Sequence, residues 1–229
     1  MHEFRIFGSR EAASVTLADR IAATLGVAIA ERSRATLVVP GGSSPLLMFR
    51  ALRRRDLPWD RVTVVPSDER LVASDHADSN ERMIREELVQ DAAQTARFLS
   101  LAGTDPQGTA RLARIDSELG NLQRPLDIVV LGMGADGHTA SLFADSPDIA
   151  EAMSSDRNCF IQHPPGQAVA RLTLTPTLLL DASSIVLLFF GDDKRAVYDR
   201  AIAGGDTQVL PVRFVLQQQM TPVLAVWAR

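Results

Sequence analysis

Residues 127–139 read Asp-Ile-Val-Val-Leu-Gly-Met-Gly-Ala-Asp-Gly-His-Thr. Ile128 to Leu131 is a short unbroken apolar run with adjacent β-branched residues, which predicts a strand buried on both faces. Glycines at 132, 134 and 137 punctuate the chain directly after it, and His138 follows the last of them. Similar apolar runs lie outward in both directions, at Phe4–Phe7, Thr36–Val39, Arg61–Pro66, Phe98–Leu101, Arg171–Leu174, Ile185–Phe190 and Val223–Trp227, with another around Phe160. Helical periodicity fills several intervals. Ser9 is placed to cap a helix reaching about Ala30, with Val15, Ala18, Ile21, Ala22, Leu25 and Ile29 on its inner face. Further helices are expected through Leu46–Leu52, Met83–Leu88, about Pro106–Leu119, and after Gly191. Alternating strands and helices predict an α/β, Rossmann-like, mainly parallel sheet with helices on both faces. No change of composition divides residues 1–229, so one domain is expected.

Polar residues gather after three strands: Gly41, Gly42, Ser43 and Ser44; Asp68, Glu69 and Arg70; and Gly132 to His138. Ligands of open α/β sheets bind outside the carboxyl ends of the strands, so the three segments point to one shared site. In the first, glycines permit close backbone approach to an anion, and Pro45 stands where a helix begins. A phosphate cradle and a plain turn capped by Ser43 or Ser44 both fit it. The segment is not a Walker loop, because no Gly-Lys-Ser/Thr follows. The second segment, taken alone, reads equally as a surface salt-bridge loop.

Gly132, Gly134 and Gly137 match the G-x-G-x-x-G spacing of a dinucleotide loop. The position past mid-chain argues against that use, as does the lack of a well-placed acid to hold a ribose. Asp136 and His138 inside the turn are chemistry that a pyrophosphate loop does not need. Histidine suits proton transfer to or from water near neutral pH, and Asp136 is close enough to fix its tautomer. His2, His76 and His163 show no metal-ligand spacing with His138, and Cys159 has no companion thiol, so neither a metal nor a disulfide is expected. The lone cysteine and the absence of a signal-like N-terminus or a long apolar run suggest a cytoplasmic protein. With a formal net charge of −4, the chain is a poor candidate for nucleic-acid or membrane binding. An anionic ligand must therefore meet a local group of cations, for which Arg171 and Lys194 are available.

Taken in order, these segments resemble the 6-phosphogluconolactonase family. Gly41-Gly42-Ser43-Ser44-Pro45 is similar to its Gly-Gly-Ser-Thr-Pro loop, Ser44 keeping the hydroxyl of the usual Thr. Asp68-Glu69-Arg70 with Asp78-Ser79-Asn80, residues 127–143, the stretch from Arg171, and Gly191 to Lys194 are similar to further blocks. The resemblance implies a Rossmann-like fold shared with glucosamine-6-phosphate deaminases and, more distantly, ribose-5-phosphate isomerase and CoA-transferase-like proteins. It implies hydrolysis of 6-phospho-D-glucono-1,5-lactone in the oxidative pentose phosphate pathway, without metal or organic cofactor. His138 would be the general base and Asp136 its orienting partner. Gly41, Gly42, Ser43, Ser44, Asp68, Arg70, Asn80, Arg171 and Lys194 would hold the phosphorylated sugar lactone. In the deaminases the histidine is followed by Ile-Ala-Phe-Asn-Glu-Pro and the earlier block reads Asp-Glu-Tyr. Here Thr139 to Phe143 follow, and Arg70 replaces the tyrosine. Deamination, a nicotinamide-dependent oxidoreductase and a non-catalytic sugar-phosphate sensor are the alternatives. The oligomeric state is left open between monomer and weak dimer.

Overall fold

The computed structural model describes residues 2–103 and 109–229. The strands are β1 (His2–Phe7), β2 (Ala35–Val39), β3 (Val62–Pro66), β4 (Asp68–Arg70), β5 (Arg97–Phe98), β6 (Ile128–Gly132), β7 (Cys159–Gln162), β8 (Arg171–Leu174), β9 (Ile185–Phe190) and β10 (Val223–Ala228). The helices are α1 (Arg10–Arg32), α2 (Leu46–Leu52), α3 (Asn80–Glu87), α4 (Thr109–Gly120), α5 (Ile149–Ser154), α6 (Pro176–Leu180), α7 (Asp192–Ile202) and α8 (Arg213–Gln217). The expected start of α4 near Pro106 lies outside the described residues.

Seven strands form a sheet in the order β1-β10-β9-β6-β2-β3-β5, and every pairing is parallel. The apolar runs follow from this position. All five residues of β2 are buried, with Leu37 and Val39 in the core under α1, α2 and α3 and Val38 in the core under α4 to α8. Covering both faces removes the need for polar residues on alternate positions. The chain runs from β2 outward to β3 and β5, but from β6 outward to β9 and β10. The strand order therefore reverses between β2 and β6, and the turns leaving those two strands diverge around a crevice, the usual place for a ligand in this architecture.

Ser9 caps α1 by accepting from the amide of Ala12 at 3.1 Å. The buried stripe of α1 is Ala13, Leu17, Ala18, Ile21, Leu25, Ala28 and Ile29. Val15, expected on that stripe, is exposed, because the helix phase set by the larger leucines turns it outward. By length and composition α1 is apolar enough to cross a membrane, a property that a search for one unbroken apolar run overlooks. Here its stripe packs on the main sheet and α2.

The segment Asp68–Arg70, read from sequence as a loop, is a strand. It forms a second, antiparallel sheet in the order β4-β8-β7, with Asp68 opposite Thr173 and Cys159 opposite Leu174. Ser67 is the joint between the sheets. Its amide donates to the Val39 carbonyl at 2.8 Å, and its carbonyl accepts from the Leu174 amide at 2.9 Å. The small sheet thus stands against the carboxyl end of the large one.

Candidate active site

A cavity of about 380 Å³ opens at that end of the sheet. Its wall includes Gly41, Gly42, Ser43, Ser44, Asp68, Arg70, Asn80, His138, Arg171 and Lys194, so ten of the eleven residues selected from sequence meet around one space. Asp136 is not on the wall and reaches the cavity through His138.

The glycine turn after β6 is built to present His138. Gly137 has φ of 83°, and a Cβ there would meet the Leu210 side chain at 2.2 Å. Gly134 accepts from the Gly137 amide and donates to the His138 carbonyl, closing the turn on itself. A Cβ on Gly134 would fall 2.2 Å from His138 Nδ1 and 2.3 Å from Asp136 Oδ1. These two glycines clear space for a histidine–aspartate pair, a different use of the spacing from cradling a pyrophosphate.

His138 Nδ1 lies 2.6 Å from Asp136 Oδ1, and the same oxygen accepts from the His138 amide at 3.1 Å. A carboxylate on Nδ1 favours the tautomer with its proton there, leaving Nε2 as the basic nitrogen. The hydrogen bond from His138 holds the Asp136 carboxyl down at about 2, against the opposing effect of partial burial. The imidazole packs at 4.5 Å, centroid to centroid, against Phe143, whose ring also lies under the Arg171 guanidinium at 5.9 Å.

Elsewhere on the wall, Ser43 and Ser44 do not cap α2. Pro45 occupies the N-cap position without a side-chain hydrogen bond, which rules out the capped-turn reading of those serines. Gly42 takes φ of 82°, and Asn80 packs so close to Gly41 that a Cβ would fall 2.1 Å from its Oδ1. Asn80 is held from two sides, donating through Nδ2 to the Asp68 carbonyl at 2.9 Å and accepting from Arg70 Nη1 at 2.8 Å. Arg70 also donates to the Asp78 carbonyl.

Glu69, the central residue of its block, does not line the cavity. It is fully buried and accepts from the amides of Arg70, Asn80 and Glu81 and from the Ser79 hydroxyl. Burial pushes its carboxyl up while those four bonds oppose the shift. Its work is to anchor the first turn of α3. Asp68 does reach the wall, but its two oxygens already accept the hydroxyls of Ser67 and Ser141.

Among the described residues three cations face the cavity of an acidic protein: Arg70, Arg171 and Lys194. Burial lowers the Arg171 guanidinium, and the nearby Arg70 charge lowers it further. Burial also lowers Lys194, with Asp136 opposing. Arg171 Nε is buried without a hydrogen-bond partner, and Nη2 donates to Gln167 Oε1. Two desolvated cations, one of them also repelled by Arg70, favour an anion in the cavity. Gln167, Met133, Ala140 and Phe143 also line the wall and were not named as site residues from the sequence. Among the described residues no group of three or more His, Cys, Asp or Glu is placed to hold a metal. Cys159 is buried, which pushes its thiol up to about 12.

A family model described as glucosamine-6-phosphate isomerases/6-phosphogluconolactonase matches residues 8–224. The chain belongs to this family. It is 41% identical to a 6-phosphogluconolactonase of Mesorhizobium japonicum over 229 residues, covering 99% of this chain and 95% of that one. It is 39% identical to that of Rhizobium meliloti over 225 residues, 97% of each chain. The crystal structure of a 6-phosphogluconolactonase from Shewanella baltica superposes with a TM-score of 0.95 at 36% identity, covering 100% of this chain and 98% of that one. The parallel sheet is thus the fold of a solved relative as well.

Proposed function

We infer that this protein hydrolyses 6-phospho-D-glucono-1,5-lactone to 6-phosphogluconate, with His138 as general base and no metal. The observation that carries the reading is the pairing of His138 Nδ1 with Asp136 at 2.6 Å on the wall of a cavity that also presents Arg70, Arg171 and Lys194. The names of the relatives support the same substrate. The substrate's phosphate rests on the backbone of Gly42 to Ser44, neutralised by Arg171 and Lys194. Asp68, Arg70 and Asn80 line the sugar. His138 Nε2 takes a proton from water as the water oxygen attacks the lactone carbonyl. The tetrahedral adduct then expels the ring oxygen, which receives the proton from His138. Asp136 stabilises the imidazolium between those steps. The ring ester is itself a reactive electrophile, and a positioned base is sufficient chemistry for it.

His138→Ala removes the base and is expected to lower kcat by about 10²–10⁴-fold with the fold intact. Near wild-type turnover in that variant would remove His138 from the mechanism. Arg171→Ala and Lys194→Ala should raise KM for the phosphorylated lactone and leave the unphosphorylated lactone little affected. Equal effects on both would sink the phosphate assignment. Release of ammonia from glucosamine 6-phosphate would favour the deaminase instead.

A further inference from the structure

The segment that leaves His138 is tied back to the large sheet by Thr139, whose hydroxyl donates to the Gly132 carbonyl of β6 at 2.8 Å, and beyond that residue it is fastened to three different strands of the small sheet. The Ser141 amide donates to Thr173 Oγ1 on β8 at 3.1 Å. The Ser141 hydroxyl donates to Asp68 Oδ2 on β4 at 2.5 Å. The Phe143 amide donates to Gln162 Oε1 on β7 at 3.0 Å. Ser141, Thr173 and Gln162 are fully buried, and Asp68 nearly so. Between His138 and these fastenings, Ala140 sits at φ of 50°, a left-handed conformation that a residue with a Cβ rarely adopts unless its surroundings impose it. Buried polar groups bonded in this way hold one arrangement, because an unmade bond there is costly.

We propose that the β4-β8-β7 sheet is the positioning device for the catalytic turn, and that Thr173 and Gln162 are positioning residues acting on His138 through Ser141 and Phe143. Neither touches the cavity. Asp68 belongs to the same device through its bond to Ser141. The phosphate cradle and the His138 turn leave different strands of the large sheet. The small sheet grips the His138 turn and is itself joined through Ser67 to β2, the strand that leads into the cradle. It therefore fixes the distance between base and phosphate.

This inference rests on the lactonase reading, and its test separates the two. Thr173→Val keeps the shape of the side chain and removes the acceptor, whereas Thr173→Ser keeps the acceptor. Small displacements of a positioned group cost up to about 10²-fold in rate. Thr173→Val is expected to lower kcat about ten-fold with KM changed less than two-fold, and Thr173→Ser to restore kcat. The His138 Cε1 proton resonance should be broadened or doubled in Thr173→Val and single in Thr173→Ser, a readout that needs no turnover. Should Thr173→Val fail to fold, Ser141→Ala, which empties the bond to Asp68, is expected to give the same kcat loss and the same resonance change. A folded Thr173→Val with wild-type kcat and an unchanged His138 resonance overturns the proposal, as does a loss carried by KM alone. A wild-type protein that leaves the lactone untouched overturns the functional reading, and the resonance then still decides for or against the positioning role.

Discussion

At the scale of single residues, the pair His138–Asp136 and the glycine beneath it explain one another. Gly134→Ala would place a methyl group 2.2 Å from His138 Nδ1, so the pair must separate. The expected result is a kcat loss of about 10²-fold with a modest change in KM, measured by steady-state kinetics. Asp136→Asn replaces the carboxylate that fixes the tautomer, and a comparable replacement in serine proteases costs about 10⁴-fold. A kcat loss of at least about 10²-fold is expected here, with little change in Tm because Asp136 is mostly exposed. The pH dependence has a definite sign. The Asp136 carboxyl is held down at about 2, so its contribution is complete above the usual carboxylate range and is lost only as pH falls toward 2. Across the neutral range Asp136 keeps its charge. Activity lost through protonation of Asp136 is therefore expected only as pH falls toward 2, and an Asp136→Asn variant whose pH profile of kcat differs from wild type in shape between pH 5 and 8 would contradict the assignment.

At the scale of elements, the main sheet was legible because β2, β3, β6, β9 and β10 are apolar runs, and the turn after β6 because three glycines lead into a histidine with an acid two residues before it. Strand β4 was not legible. It is three residues long, all of them charged, and it earns strand geometry only from β8, a hundred residues away. Periodicity has no purchase on so short a piece, so Asp68–Arg70 read as a loop. Gln167 was not read as part of the site, and Phe143 was read as part of the block after His138 but not as a wall residue: each enters the cavity wall through tertiary packing that no local pattern records. The cations Arg171 and Lys194 were found because an acidic chain that binds an anion must gather positive charge somewhere. Glu69, central in the same block, is an anchor for α3 rather than part of the wall. Glu69→Gln would turn an amide NH₂ toward hydrogen-bond donors. We expect a loss of about 1–3 kcal/mol in urea unfolding, and a higher KM as Asn80 loosens.

At the scale of the whole molecule, the reversal of strand order between β2 and β6 creates the crevice, and the small sheet closes one side of it. The cavity draws on residues from Pro40 to Lys194, so ligand binding should stabilise the molecule as a unit. A saturating product, 6-phosphogluconate at about 100 times its Kd, should add about 2.7 kcal/mol and raise Tm. The shift should shrink in Arg171→Ala and Lys194→Ala. The central claim is that this crevice speeds the opening of a phosphorylated lactone by means of His138. The most direct test is the rate of acid release from 6-phosphoglucono-1,5-lactone, followed in a weakly buffered solution against the uncatalysed background, with wild type and His138→Ala side by side. The account expects a large excess over background for wild type and a fall toward background for the variant. A wild-type rate equal to background, or a variant as fast as wild type, would contradict it.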